Sequence, residues 1–219
     1  MRTVHAVEKF CRLQKAAAFS MLFGVMAAAV SAGETKIPGS LSIECDTFSY
    51  GIDPAGKNLH FTDKASGKDY YNRSTGGDWQ YCAFVKKDGK TFPVSSAAMA
   101  GGLLTLRFSG ADAAASLRVI NERDRVVLEI QEVAGDPESI TFLNIPLALE
   151  ARPSEPFAAC ALSLNLFTHV HQLPALQTEL WATCYKRFGY KGGRVAVIGV
   201  PQKSILPVIR KVMTAAAPE

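Results

Sequence analysis

The stretch "LLTLRFSGADAAASLRVINERDRVVLEI" (Leu103–Ile130) contains three segments in which apolar and polar residues alternate. Alternation with a period of two residues predicts strands that bury one face. The segments between them, "SGADAA" and "NERDR", are short and rich in turn-forming residues. Because short loops join antiparallel neighbours, this stretch predicts a three-stranded meander.

The same alternation recurs on both sides of the meander. Leu41–Cys45 and Cys160–Leu166 each alternate apolar with polar or small residues, and Phe48–Ile52 alternates out of phase with the first, as a β-bulge would produce. Turns are expected at Ser66-Gly67 and at Asp88-Gly89. Roughly a dozen short strands separated by turns predict a mostly β protein, a large antiparallel β-sandwich of the supersandwich type.

The chain ends differently from its body. Arg194–Val200 is apolar and rich in Val and Ile, which predicts a buried strand, and Ser204 can cap a short C-terminal helix. One face of that helix carries its apolar residues, which are Ile205, Val208, Ile209 and Val212. The pair Gly192-Gly193 precedes the strand, whereas a phosphate-binding fingerprint needs glycines between a strand and a helix. We therefore expect a hairpin turn there and no nucleotide site.

The first 32 residues have the pattern of a secretory signal peptide. Four basic residues precede an apolar run, Ala16–Val30, and a small-residue tripeptide ends at Ala32. The alternative is a membrane anchor, but the run is shorter than the about 20 residues that a span needs. We expect removal of residues 1–32, no stable membrane span afterwards, a secreted or periplasmic location, and a single β-sandwich domain over residues 33–219.

The charge of the chain argues against capture of nucleic acid or of an anionic membrane. The whole chain has a formal net charge of +4. Without residues 1–32 it would have 20 Lys and Arg against 19 Asp and Glu. A nearly balanced surface has no long-range attraction for polyanions.

Four cysteines remain after residue 32. Cys45, Cys82, Cys160 and Cys184 allow three disulfide pairings in an exported protein, and buried thiols are the alternative. Cys160 with Cys184 is the first pair to check. No C-x-x-C or Cys/His metal spacing occurs, so the sequence predicts neither a metal nor another cofactor.

Two aromatic clusters stand out. In "DYYNRSTGGDWQY" (Asp69–Tyr81), Tyr71, Trp79 and Tyr81 lie among polar residues in a Gly-containing loop, a composition suited to the flat face of a pyranose. Packing in the core or in a hairpin is the alternative. In "WATCYKRFGY" (Trp181–Tyr190), the first and fifth residues would share one strand face, for which the sequence predicts the core.

Several segments resemble a known group of proteins. The segments "NLHFTDKASGKDY", "ITFLNIPLAL", "RFGYKGGRVAVIGVPQKSILPVIRKV" and the meander are similar to the N-terminal β-sandwich of exported glycoside-hydrolase-like proteins, a galactose-mutarotase-like supersandwich that precedes a catalytic barrel. The resemblance covers most of residues 33–219. It implies that the final strand and helix lead into a downstream catalytic domain, so the chain would be the N-terminal module of a larger protein or a stand-alone descendant of it.

The resemblance also directs attention to histidines and carboxylates. Mutarotases use a His as acid and a Glu as base, and the nearest analogues are His169 or His171 with Glu129 or Glu132. The His-x-His spacing would also put two imidazoles on one strand face, where they could bind a metal or simply face solvent. No carboxylate pair across a cleft and no G-x-S-x-G motif is evident. We therefore expect the chain alone to be non-enzymatic.

Three hypotheses follow. The first is a non-catalytic module that packs on a catalytic domain and contacts carbohydrate. The second is a small mutarotase-type or lyase-type enzyme. The third is a structural or adhesion module whose partner is a protein.

Overall fold

A computed structural model of the chain describes residues 39–150, 152, 154–170 and 178–216. This part is mostly strand and ends in one short α-helix, as the sequence predicts. Its elements in chain order are β1 (Leu41–Glu44), β2 (Phe48–Ile52), β3 (Asn58–Asp63), β4 (Phe84–Lys87), β5 (Lys90–Pro93), β6 (Ser96–Ala100), β7 (Leu103–Phe108), β8 (Ala113–Asn121), β9 (Arg125–Ala134), β10 (Ser139–Leu147), β11 (Phe157–Ser163), β12 (Thr168–Val170), β13 (Thr178–Tyr185), β14 (Arg194–Pro201) and α1 (Ile205–Ala216).

The strands form three antiparallel sheets. One has six strands in the order β11-β14-β9-β8-β7-β6, one has five in the order β12-β13-β10-β4-β5, and a smaller one has the order β1-β2-β3. The meander that the sequence predicts is confirmed: β7 pairs with β8, and β8 pairs with β9. Chain neighbours therefore supply four adjacent strands of the largest sheet, as short loops require.

The five-stranded and six-stranded sheets pack face to face around the main core. Leu117 and Ile130 point inward from the larger sheet, and Ile140 and Cys184 point inward from the smaller; all four are fully buried. The two layers approach closely at Gly193, where an added Cβ would lie 2.6 Å from Cys184 Sγ. This is the antiparallel sandwich that the alternating pattern predicts, because each strand buries one face.

The three-stranded sheet contributes aromatic side chains to the same core. Phe48 and Phe61 stack with their ring centroids 4.8 Å apart, and Phe61 lies 6.3 Å from Phe157 of β11. Gly199 of β14 permits this approach, since a Cβ there would lie 2.9 Å from Phe157 and 3.0 Å from Phe48. A side chain at that position would separate the sheets.

Helix α1 covers the outer face of the six-stranded sheet. Val212 is 2% exposed and packs on a second apolar cluster that includes Cys160 and Ile198. Lys211 Nζ lies 3.0 Å from Asp124 Oδ2, which links the helix to the turn between β8 and β9. The predicted apolar helix face is thus the face that packs on the sheet.

Two local predictions are wrong. Phe48–Ile52 does not follow a bulge: Cys45 N donates to Phe48 O, the chain reverses, and β1 pairs with β2. A reversal also explains the change of phase, because both strands then keep their apolar side chains inward. Gly192-Gly193 does not close a hairpin, since β13 and β14 belong to different sheets and the turn passes between them.

The four cysteines are free and buried. Cys184 lies in the main core, and Cys160 lies under α1 on the other face of the six-stranded sheet. Cys160 and Cys184, which the sequence made the first disulfide pair to check, are therefore not bonded to each other. The alternative of buried thiols is the one that the structure shows. Burial raises the pKa of Cys82 and of Cys160 to about 12, so both stay protonated near neutral pH.

Some predictions concern residues that the structure does not describe. The signal peptide at residues 1–32 and His171 lie outside the described ranges. Within those ranges, no helix combines the length and the apolar character needed to cross a membrane.

Candidate functional site

The four aromatic residues of Asp69–Tyr81 differ in burial: one is buried, Tyr71 and Tyr81 are half-buried against the main core, and one is exposed. Tyr70 is fully buried and stacks on Phe157 with the ring centroids 4.9 Å apart. Trp79 lies in a 3₁₀ turn, Gly77–Gln80, and is 43% exposed. Tyr70 therefore packs in the core, whereas the indole of Trp79 is exposed to solvent.

Tyr71 is half-buried and packs against the main core. Its backbone N–H donates to Asp69 Oδ1 at 3.0 Å, and the guanidinium of Arg73 lies 5.6 Å from its ring centroid. Arg73 also pairs with Asp69 at 2.8 Å. Burial raises the pKa of Tyr71, an effect that Arg73 opposes and Asp69 reinforces. The phenol stays neutral near neutral pH and can donate a hydrogen bond.

Tyr81 is held in place by backbone pairing with Lys57. The two residues form an isolated antiparallel bridge, and Lys57 Nζ lies 5.8 Å from the centroid of the Tyr81 ring. Cys82 N donates to Gly56 O at 2.8 Å directly after it. Trp79 and Tyr81 thus lie two residues apart on a segment whose C-terminal end is held by backbone hydrogen bonds.

Two buried asparagines hold the turn that carries Trp79. Asn144 Nδ2 donates to Tyr81 O at 2.7 Å and to Asp78 O at 3.4 Å. Asn58 Nδ2 donates to Asn144 O at 3.0 Å and to Trp79 O at 3.5 Å, and Asn58 Oδ1 accepts from Tyr50 at 2.5 Å. Carbonyl groups of an irregular turn are thereby satisfied away from water. The position of the turn is therefore fixed by buried side chains.

Sequence reasoning did not identify these asparagines. Asn144 is fully buried, yet it occupies the middle of the apolar strand β10. A polar residue within such a run was the available signal, because buried amides need partners. The partners of Asn144 come from a turn more than sixty residues away in the chain, and no pattern in the sequence identifies them.

A shallow cleft adjoins Tyr81. It has a volume of about 280 Å³. We call it the Tyr81 cleft, and it is lined by Ala55, Tyr81, Phe92, Pro93, Val94, Ser95 and Gly110. The cleft lies where the loop after β2 meets β5 and the turn after β7. A concave, largely apolar surface thus borders Tyr81.

The catalytic candidates that the structure describes do not lie together. His169 is exposed on β12 of the five-stranded sheet, where its ring meets Trp181 edge-on at 6.0 Å. Glu129 belongs to β9 of the six-stranded sheet and lies 3.4 Å from Arg194. Glu132, the other carboxylate considered, is exposed on the same strand as Glu129. The carboxylates and His169 therefore lie on different layers of the sandwich.

The second aromatic cluster is only partly in the core: Trp181 is half-buried and Tyr190 packs against the main core, whereas Tyr185 and Phe188 are exposed. Trp181 and Tyr185 do share one face of β13, but the fully buried side chains are the alternate ones, such as Ala182 and Cys184. Tyr185 is 36% exposed and Phe188 is 56% exposed. Spacing identified the shared face, and only the neighbouring sheet decides which face is inside.

The described residues contain no group of three or more His, Cys, Asp or Glu side chains that could hold a metal ion. The candidate site comprises the exposed Trp79, the half-buried Tyr71 and Tyr81, and the Tyr81 cleft, which Tyr81 lines. It offers an accessible indole, two phenols and a small apolar concavity.

Comparison with known proteins gives distant structural likenesses. No family model matches the chain, and no curated protein matches it. It is similar to a galactose mutarotase-like protein from Lactobacillus casei ATCC 334, with 12% identity, a TM-score of 0.34, and coverage of 73% of this chain and 68% of that chain. It is also similar to a galactose mutarotase related enzyme from Lactobacillus acidophilus, with 7% identity, a TM-score of 0.35, and coverage of 72% and 84%. Identities and TM-scores this low support no conclusion about the function of this chain. Its fold is described by its own strand pairing.

Proposed function

We propose that the chain is a non-catalytic β-sandwich module that contacts carbohydrate. The observation that carries the proposal is the exposed indole of Trp79 on a turn held by Asn58 and Asn144. Exposing a large aromatic ring on a fixed turn gives no folding advantage, whereas a pyranose can pack its C–H face on such a ring.

The surroundings of Trp79 suit this role. Hydrogen-bonding groups are close to it in the chain: the exposed side chain of Asp78 precedes Trp79, and the phenol of Tyr81 follows two residues later. A sugar presents an apolar face and a rim of hydroxyl groups, so it needs both kinds of contact. Because the turn is already ordered, binding would cost little conformational entropy.

The proposal extends to the setting of the module. We propose that the chain works in a secreted or periplasmic protein and packs against a catalytic domain encoded downstream. Its partners are then a carbohydrate and that domain. The mutarotase-type alternative would need either His171, which lies outside the described residues, or a pairing of His169 with Glu129 from different sheets.

The test is a glycan array probed with residues 33–219, followed by calorimetry on any ligand found. We expect binding that Trp79→Ala abolishes. Phe188→Ala is the matched control, because Phe188 is an even more exposed aromatic on another part of the surface. Loss of binding in both variants, or no binding by the folded parent, would contradict the proposal. Sugar turnover that depends on His169 would instead favour the enzyme.

A further inference from the structure

The hairpin between β4 and β5 carries a dipeptide that is chemically reactive in proteins. Asp88-Gly89 is the one Asp-Gly pair in the chain, and the chain contains no Asn-Gly pair. The backbone nitrogen that follows an Asp can attack the carboxyl carbon of that side chain, and glycine hinders the attack least because it has no Cβ. Both residues are exposed, and a Cβ built at Gly89 would lie within 4 Å of no described atom. The pair is therefore open to water.

The turn itself has a conformation that opposes this attack. Asp88 and Gly89 have φ values of 51° and 71°, as the two central residues of a type I′ turn do. The strands pair up to the turn, with Lys87 opposite Lys90. Bringing the Gly89 nitrogen onto the Asp88 carboxyl carbon needs a rotation of the backbone between them that this turn does not allow. The reaction therefore requires the hairpin to open locally.

A carboxylate from another part of the chain holds the nitrogen that would attack. Gly89 N donates to Glu138 Oε1 at 3.0 Å. Glu138 is itself fixed on both sides by its backbone, because its N–H donates to Lys86 O at 2.7 Å and its carbonyl accepts from Lys186 N at 2.9 Å. Opening of the turn therefore breaks a hydrogen bond to a charged acceptor in addition to the pairing of the hairpin.

We propose that Asp88 is a site of spontaneous isomerisation to isoaspartate and that Glu138 restrains the reaction. In the first step the Gly89 nitrogen bonds to Asp88 Cγ, and the hydroxyl group of the carboxyl and the amide proton leave as water, which gives a five-membered succinimide. In the second step water adds to the main-chain carbonyl carbon of Asp88, the bond from that carbon to the Gly89 nitrogen breaks, and the nitrogen regains a proton. The main chain then runs through the former side chain and is one methylene longer.

The product changes more than the turn. An extra main-chain methylene in a two-residue turn does not preserve the pairing of Lys87 with Lys90. β5 carries Phe92 and Pro93, which line the Tyr81 cleft. Isomerisation is thus a modification that accumulates with the age of the protein at one wall of the cleft. It needs no ligand, so the inference is independent of the proposed contact with carbohydrate.

The experiment follows isoaspartate at residue 88 by peptide mapping and mass spectrometry while the purified protein is kept at neutral pH and physiological temperature. The same protein unfolded in guanidinium chloride gives the rate without the hairpin. We expect the folded protein to isomerise at least about tenfold more slowly, because only the locally opened hairpin reacts. Asp88→Ser should remove the signal, which assigns it to this residue.

Three variants isolate the contribution of Glu138. Glu138→Ala removes the acceptor of the Gly89 N–H, and we expect it to isomerise about three- to tenfold faster than the folded parent, as the loss of one hydrogen bond would give. Glu138→Gln keeps an acceptor oxygen at the same place and should stay close to the parental rate. Glu132→Ala is the matched control, because Glu132 is an exposed carboxylate on β9, and it should isomerise at the parental rate.

Any of three results would overturn the proposal. The first is the absence of isoaspartate at residue 88 even in the unfolded chain, and the second is a folded parent that isomerises as fast as the unfolded chain. The third is a Glu138→Ala variant that isomerises at the parental rate. If Glu138→Ala also lowers the free energy of unfolding, Glu138→Gln decides: a rate as high as that of the alanine variant would show that the hydrogen bond does not restrain the turn.

Discussion

The two aromatic segments, Asp69–Tyr81 and Trp181–Tyr190, have similar compositions and different settings. In the first, Trp79 lies on a turn that two buried asparagines hold in place, and Tyr81, two residues later, lines a cleft. In the second, the exposed Phe188 is covered on one face by its own neighbour, since the guanidinium of Arg187 lies 4.5 Å from its ring centroid. Exposure alone does not make a binding surface; an ordered support and a free ring face are also required.

A second contrast lies within the first segment. Tyr70 and Trp79 are nine positions apart, yet Tyr70 is a core residue and Trp79 a surface residue. We expect Tyr70→Ala to lower the free energy of unfolding by about 3–5 kcal/mol, as for other large buried aromatic residues. Trp79→Ala should change it by less than about 0.5 kcal/mol. Urea unfolding followed by circular dichroism measures both. Similar losses of unfolding free energy in the two variants would contradict the assignment of Tyr70 to the core and Trp79 to the surface.

The asparagine support can be removed separately. Asn144→Ala leaves Tyr81 O and Asp78 O without their buried donor. We expect a loss of about 1–3 kcal/mol in the free energy of unfolding and faster amide exchange in residues 77–81. Asn121→Ala is the matched control, because Asn121 is exposed at the end of β8. If exchange in the turn is unchanged, the asparagines do not order it.

The smallest expected effect concerns the second segment. Tyr190 donates to Pro137 O, and burial, reinforced by Asp136, raises its pKa to about 12. Since the folded pKa exceeds the ordinary value of about 10, the neutral phenol stabilises the fold fully below about pH 10, and this contribution is lost as the pH rises toward 12. Tyr190→Phe should therefore lose less stability than the parent between pH 9 and 11, as measured by urea unfolding. An equal loss would contradict this assignment.

Much of the fold was predictable because the signal is local. Alternation along Leu103–Ile130 identified strands β7, β8 and β9, and the short loops identified their antiparallel pairing. The helix face with Val212 followed from spacing in the same way. The hairpin between β1 and β2 was missed, because a reversal and a bulge produce the same change of phase in the pattern.

The candidate site was predictable only in part. Composition pointed to Tyr71, Trp79 and Tyr81, but it could not separate them from the buried Tyr70. Asn58 and Asn144 carry no local signal for their role, because their partners are distant in the chain. The Tyr81 cleft also has no local signal in the sequence, because its walls come from four separate segments of the chain.

The sequence by itself determined the β-sandwich class, the central meander and the amphipathic C-terminal helix, because these depend on periodic burial along neighbouring residues. Only the tertiary structure decided which sheet face is inside at β13, which aromatic ring reaches solvent, and that His169 and Glu129 lie on different layers. Those outcomes depend on contacts between residues far apart in the chain, and long-range packing leaves no periodic trace in the sequence.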